Sequence, residues 1–436
     1  MWQLIRMAWR NSLRNWRYSS AAFGTIAVGL WSLVLYQGYS DGVNDMWLMQ
    51  FQDRGMMGDI VVEAKQRGKA DWAAMMDGKM QADLERVLDK SRSEIDVELR
   101  LLTIDGQVSL GSQSALFVGY ALDRESADRM RGSRWQWNAV GGEPIKKARD
   151  IVVAAGLAKL LGCDVPPRVK GNMFGEGPGY PRVNTPFTCG GKRASELPLM
   201  LQTVTEAGQI NASNYQFAGL VNSGLLEFER VWLMMDLEDG QRLYDTKKIS
   251  LVTLRLKPGK SIKTFINRHK KELNSLGLTI VQWNDHSLAE IYQKIMPIFY
   301  YFGLFCKSIL YSIVCLSVFN LMVKTIQERT REIGLLQTLG YGNQTVRLLF
   351  LFESMLSGLT GIAFGSVATL VYAIGINKLG IYYDPGYSSD LIPFYIKIDR
   401  GIWFATAGTL FVLIIFSTLT AIFHALRKSI VECLLS

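Results

Sequence analysis

Histidine and cysteine are scarce in this chain of 436 residues, which holds three of the first and five of the second. His269, His286 and His424 stand far apart with no metal-ligand spacing, and no His-Glu-x-x-His occurs, so zinc-dependent hydrolysis has no candidate residues. The absence of Cys-x-x-Cys removes a thioredoxin-type redox centre and a zinc ribbon. A Walker loop is missing too. The glycine-rich run from Gly171 to Gly179 lacks the lysine and hydroxyl that hold phosphate and magnesium, and reads as an exposed loop. The chain is therefore expected to bind no cofactor and no metal and to catalyse no reaction; any ATP and magnesium belong to another chain.

Charge is missing from four long stretches. Residues 18–40, 298–323, 348–376 and 401–424 are apolar, interrupted only by Lys307 and Glu353. Each is near the ~20 residues that a helix needs to cross ~30 Å of hydrocarbon. The fold class that follows is an α-helical membrane protein with four transmembrane helices and one large extracytoplasmic α/β domain, residues 41–297. A mean hydropathy of only +0.11 fits, because that block dilutes the spans.

The net charge of +9 is distributed unevenly. Residues 1–17 hold Arg6, Arg10, Arg14 and Arg17 and no acid, the segment 324–347 is basic, and so is the tail 425–436. The block between the first two spans carries 34 basic and 32 acidic side chains and is almost neutral. Basic residues stay on the cytoplasmic side, so both termini and segment 324–347 are expected in the cytoplasm, with the large block and loop 377–400 outside. The basic balance is thus a matter of topology, and no nucleic-acid partner is expected. Trp2, Ile5, Trp9, Leu13 and Trp16 recur every three or four positions beside the arginines, which predicts an interfacial helix over 1–17. The following apolar run is long and has no small-residue cleavage site before Asp41, so it reads as an uncleaved anchor.

Within the outer block, residues 59–63, 151–154, 231–235, 249–256 and 278–283 are predicted strands. Helical patterns fall near 80–89, 123–130, 157–161, 238–244 and 262–273. Between about 105 and 235 the sequence reads as irregular, as if a second subdomain were inserted. Cys163 and Cys189 are the one cysteine pair in this block, and spacing leaves open whether they join. Cys306 and Cys315 read as packing residues of the second span.

The residues after that span are the most specific. Glu328-Arg-Thr-Arg-Glu-Ile-Gly-Leu-Leu-Gln-Thr-Leu-Gly340, then Tyr341 to Val346, then Phe352 to Gly361, resemble the signature of FtsX/MacB-like ABC permeases. The wider resemblance is to the lipoprotein-release branch, LolC/LolE: Trp9 to Trp16 is similar to that family's entry into the first span, and Gly58 to Val62 and Ile151 to Gly162 are similar to parts of its outer domain. Pro166-Pro167 departs from the Gly-Asp common in relatives. The resemblance implies an outer domain with a Porter-like part and an inserted Sabre-like part. It also implies two permeases, a second copy or a paralogue, riding on a cytoplasmic ABC ATPase dimer in the bacterial inner membrane.

For coupling to that ATPase, Glu328, Arg329, Arg331 and Glu332 are expected as solvated charges that dock on a polar groove. Ile333, Leu335 and Leu336, with Leu339, form an apolar helix face beside Gly334, and Gly340 ends the helix. Ser354, Gly358, Gly361 and Gly365 are predicted to let helices approach closely. Lys307, with Tyr311 one turn on, is a candidate cavity residue, because an ionisable side chain within a span usually faces a partner or a cavity. By resemblance the cargo is a lipoprotein or another amphiphile, delivered to a periplasmic carrier. The alternatives are an efflux machine working with a membrane-fusion protein, and an FtsX-like regulator of a cell-wall hydrolase.

Overall fold

The computed structural model describes residues 6, 10, 16–65, 75–132, 135, 137, 140–166, 186–329, 334, 335, 338 and 342–425. The chain divides into a helical unit, residues 1–44, 296–381 and 394–436, and an α/β unit, residues 45–295 and 382–393. Most of the expected interfacial helix over 1–17, and the tail 426–436, lie outside the described residues.

Four long helices build the helical unit: α1 (Trp16–Met49), α8 (Glu290–Glu328), α9 (Asn343–Leu379) and α10 (Arg400–Ala425). Among the described residues, α8, α9 and α10 are long and apolar enough to cross a membrane. The first expected span, 18–40, falls inside α1, and its standing as a fourth span remains a proposal. Ile26, Leu30 and Leu33 of α1 are nevertheless fully buried against Val314 and Val318 of α8 and Leu410 and Ile414 of α10. Small residues permit the close packing that their spacing predicts. A Cβ on Gly361 would stand 2.8 Å from Ile26 Cβ, and one on Gly365 would meet the Ala27 carbonyl at 2.7 Å.

The α/β unit has two hydrophobic cores that share one strand. Strand β1 (Ile60–Ala64) lies between β12 (Leu278–Gln282) and β11 (Leu251–Leu256), both antiparallel to it, and β11 pairs with the first half of β2 (Ile95–Leu110). Two amphipathic helices cover this sheet. In α2 (Gly78–Asp89), Asp77 caps the Met80 amide at 2.8 Å, and Leu84, Val87 and Leu88 turn inward. In α7 (Ile262–Ser275), Phe265, His269 and Leu273 are buried at four-residue spacing.

The second half of β2 opens a closed ring of six strands. It pairs with β3 (Gln113–Leu122), β3 with β10 (Trp232–Asp236), β10 with β5 (Asp150–Ala154), β5 with β9 (Ile210–Val221), β9 with β8 (Pro198–Val204), and β8 with β2 again. Phe117, Phe217, Leu199, Leu201 and Leu233 fill it. A Cβ on Gly119 of β3 would stand 1.8 Å from the Leu233 carbonyl, so only glycine fits that crossing. The ring corrects the reading of 105–235 as irregular. β2, β3, β8 and β9 supply regular strands there, joined by tight turns at Gly111 and Gly208, both with positive φ. The five strands and five helices predicted in the block are present, with ends displaced by at most two residues.

A buried polar knot ties distant segments of this unit together. After α1 the chain makes a π-helical turn, Gln50–Arg54, and the Arg54 guanidinium donates to Asp390 and, at 2.5 Å, to the Asn222 carbonyl. Asn222 also donates to Asp390, and Arg54 lies 4.9 Å from the centre of the Trp135 ring. Glu229 braces the adjoining turn by accepting from the Ser223 amide (2.8 Å) and hydroxyl (2.6 Å); burial pushes its carboxyl up, partly offset by those bonds. Asp390 belongs to the stretch 382–393 between α9 and α10, sequence expected as a plain loop, which here carries a two-strand pair, β13 (Tyr382–Tyr383) with β14 (Ile392–Pro393).

Truncating one partner of such a pair strands the other charge in a dry site. Asp390→Ala should therefore lower the stability of the α/β unit by about 3–5 kcal/mol, whereas Arg54→Met combined with Asp390→Leu should recover most of the loss. Thermal unfolding of the purified full chain, followed by proteolysis at rising temperature, checks both.

Candidate coupling site

The carboxy-terminal end of α8 is fixed to its neighbours by one ion pair and one apolar cluster. Arg329, in the turn after Glu328, donates from Nη1 to both oxygens of Glu353 on α9, at 3.0 and 2.9 Å. Each side chain is only 11 % exposed. Just inside the pair, Ile326 packs on Val346 and Phe350 of α9 and on Ile422 of α10. Arg347 lies 5.1 Å from the centre of the Phe423 ring, adding a cation–π contact between the same helices.

This corrects one expectation. Arg329 is not a solvated docking charge; its guanidinium is paired with the Glu353 carboxylate of α9. Glu353 was the signal in the sequence, the one acid of the charge-poor run 348–376. Glu328, by contrast, is more than a third exposed and lies 4.0 Å from Lys324 one turn earlier. Leu335 is 61 % exposed, while Gly334 is buried. Arg331, Glu332, Ile333, Leu336, Leu339 and Gly340 lie outside the described residues.

The remaining expected positions fall elsewhere. Cys163 and Cys189 form a disulfide beside the six-stranded ring, and Cys306 and Cys315 are free. The Lys307 ammonium, expected to face a cavity, donates to Gln37 Oε1 of α1 at 3.0 Å, and Gln37 in turn donates to Asp41 at 2.9 Å. This ladder joins α1 to α8. Tyr311 packs against the same core as Ile26 and Val314. Sequence reasoning missed Gln37, because a neutral amide in an apolar run carries no pattern. Among the described residues no cluster of His, Cys, Asp and Glu could hold a metal ion.

Residues 307–430, which contain the whole of this site, match the family model described as FtsX-like permease C-terminal. The chain carries an FtsX-like ABC permease domain. Proteins of this family are membrane proteins, in general non-catalytic transmembrane subunits that work as dimers with an ATPase. No curated relative matches the sequence. Two solved structures are similar to about half of this chain. The crystal structure of the periplasmic region of MacB from Actinobacillus actinomycetemcomitans is 11 % identical, with 56 % of this chain and 95 % of that one covered and a TM-score of 0.35. The extracellular domain of the noncanonic ABC-type transporter YknZ from Gram-positive bacteria is 8 % identical, with 51 % and 98 % covered and a TM-score of 0.31.

If the pair pins α8 to α9, Glu353→Ala should lower the melting temperature of the detergent-solubilised chain, by the ~1–3 kcal/mol of a largely buried charge that has lost its carboxylate. Exchanging the two charges, Arg329→Glu with Glu353→Arg, should restore most of it. Equal melting of all three proteins would show that the pair holds nothing.

Proposed function

We propose that this chain is the membrane subunit of an ATP-driven machine that passes the closing motion of a separate ATPase to an extracytoplasmic α/β unit, thereby releasing or exporting a lipoprotein or similar amphiphile. The observation that carries the proposal is the paired end of α8 within the FtsX-like domain. A push on the segment after Arg329 cannot move α8 alone, because the Glu353 pair and the Ile326 cluster oblige α9 and α10 to share it. Glu328, just before Arg329, and Leu335, after it, are exposed, one polar and one apolar. α8 then runs as one helix of 39 residues back to Glu290, and its stretch after Pro297, the residue that has no N–H to close a turn, serves as the lever.

The sidedness in this proposal follows from the charge bias: basic termini and a basic segment 324–347 inside, the nearly neutral block outside. The fourth span is then α1, and the two permeases of the assembly stand side by side. The cargo class rests on the resemblance to the lipoprotein-release branch.

Two measurements test the proposal separately. Replacing Glu332 and Leu336 together by alanine should abolish co-purification with the partner ATPase and its stimulation, with membrane insertion intact; wild-type values in both assays would remove the coupling role. Membrane-impermeant thiol reagents should reach single cysteines placed at Ser112 or Ser261 in intact spheroplasts, and those at Thr330 or Ser429 only after permeabilisation. The reverse pattern would overturn the topology.

A further inference from the structure

A guanidinium at one end of the helical unit is left without an acceptor. Arg347 is the fifth residue of α9, and its guanidinium lies 5.1 Å from the centre of the Phe423 ring, near the end of α10. The face of the ring attracts the charge but accepts none of the N–H donors in the guanidinium plane. Nε is buried, and among the described residues no oxygen accepts from it. Glu353 is the one acid on α9 and α10, and both of its oxygens accept from Arg329. A buried charged donor left in this way is costly, so its acceptor has to come from elsewhere.

The position of Arg347 names that acceptor. Arg347 is near the start, and Phe423 at the end, of two helices long and apolar enough to cross a membrane. There hydrocarbon gives way to water, and the phosphates of phospholipids lie at that boundary. From Phe423 inward, Leu419, Phe416 and Val412 follow at spacings of four, three and four, and all four side chains are exposed. They form one apolar stripe down α10. The rise from Val412 to Phe423, at ~1.5 Å per residue, is about 16 Å, against about 15 Å for half of the hydrocarbon core. The stripe is as long as one leaflet is deep, with a cation at its polar end.

We propose that Arg347 and this stripe hold one anionic phospholipid, the guanidinium taking its phosphate and Val412, Phe416, Leu419 and Phe423 taking an acyl chain. A guanidinium presents its donors as a planar fork that fits two phosphate oxygens at once. The charge of the headgroup follows from the site. A zwitterionic lipid brings an ammonium, and α9 and α10 offer it no carboxylate, Glu353 being held by Arg329. Val346 and Ile422, next in sequence to Arg347 and Phe423, pack on Ile326 of α8. An occupied site therefore braces α9 and α10 directly beside the coupling site. The inference needs only that these helices lie in a membrane, not that the chain couples to an ATPase.

The test uses the purified full chain in dodecyl maltoside, titrated with dioleoyl-phosphatidylglycerol and followed by native mass spectrometry and thermal unfolding. The wild-type chain should bind a first lipid at concentrations where dioleoyl-phosphatidylcholine does not bind, and its melting temperature should rise with occupancy. Arg347→Gln should weaken binding at least ~tenfold, as the loss of a charge-assisted bidentate contact implies. Arg347→Lys, which keeps the charge without the fork, should fall between the two. Phe416→Ser should weaken binding through the acyl chain, whereas Arg400→Gln, at the other end of α10, should change nothing. Equal binding by wild type and Arg347→Gln, as expected if a carboxylate of this chain were the acceptor, would overturn the proposal. So would indifference to the headgroup, an equal loss on Arg400→Gln, or the same stabilisation from inorganic phosphate. Should Arg347→Gln fail to fold, wild-type affinity in either Arg347→Lys or Phe416→Ser would overturn it instead.

Discussion

A guanidinium 4 % exposed and a carboxylate 0 % exposed have to find each other or neither can be buried. Arg54 and Asp390 meet that constraint, and much of the α/β unit is arranged around it. The π-turn that ends α1 brings Arg54 to the turn at Asn222 and to the stretch 388–390, segments separated by 168 and 336 residues of chain. Asn222 closes the triangle by donating to the same carboxylate. Desolvating the two charges costs several kcal/mol each, which their mutual pairing and the bonds to Asn222 offset. The arrangement therefore tolerates one geometry, which is how a buried polar group specifies a register that apolar packing alone would leave loose.

The helical unit repeats the device in a less buried form. Arg329 and Glu353 face each other where α8 ends, and Ile326, Val346, Phe350 and Ile422 supply the apolar floor beneath them. In each unit a well-buried ion pair, Arg54–Asp390 or Arg329–Glu353, joins elements that the chain separates, and in each one partner lies on α9 or on the stretch that follows it. The segment from Asn343 to Pro393 is thus tied at both of its ends by charge, although its middle is held by small-residue packing at Gly361 and Gly365.

Much of this was legible in advance where the pattern is periodic and local. Charge-free runs placed α8, α9 and α10, and apolar alternation placed β1, β5, β10, β11 and β12. The small residues of α9 pointed to close approach. What stayed hidden depended on partners far away in the chain. β2, β3, β8 and β9 were missed because their outward residues are neither clearly polar nor clearly apolar: Leu116 and Ile210 are exposed and Gly119 is buried, which blurs the two-residue period. At the candidate site, sequence alone gave Arg329 to solvent and left Glu353 without a named partner. An ion pair between helices requires knowing which faces meet, and 24 residues of separation carry no such information.

β2 belongs to two cores at once. Its first residues complete the sheet of β12, β1 and β11, and its last ten complete the six-stranded ring with β3 and β8. A strand cannot be half present, because cutting it leaves both sheets with an open edge and both cores with exposed apolar side chains, Ile95 on one side and Leu102 and Ile104 on the other. The two halves of the α/β unit are therefore welded rather than hinged. An ancestor that acquired the ring as an insertion would have had to lengthen an existing strand, and the ring cannot now be excised without unravelling its host.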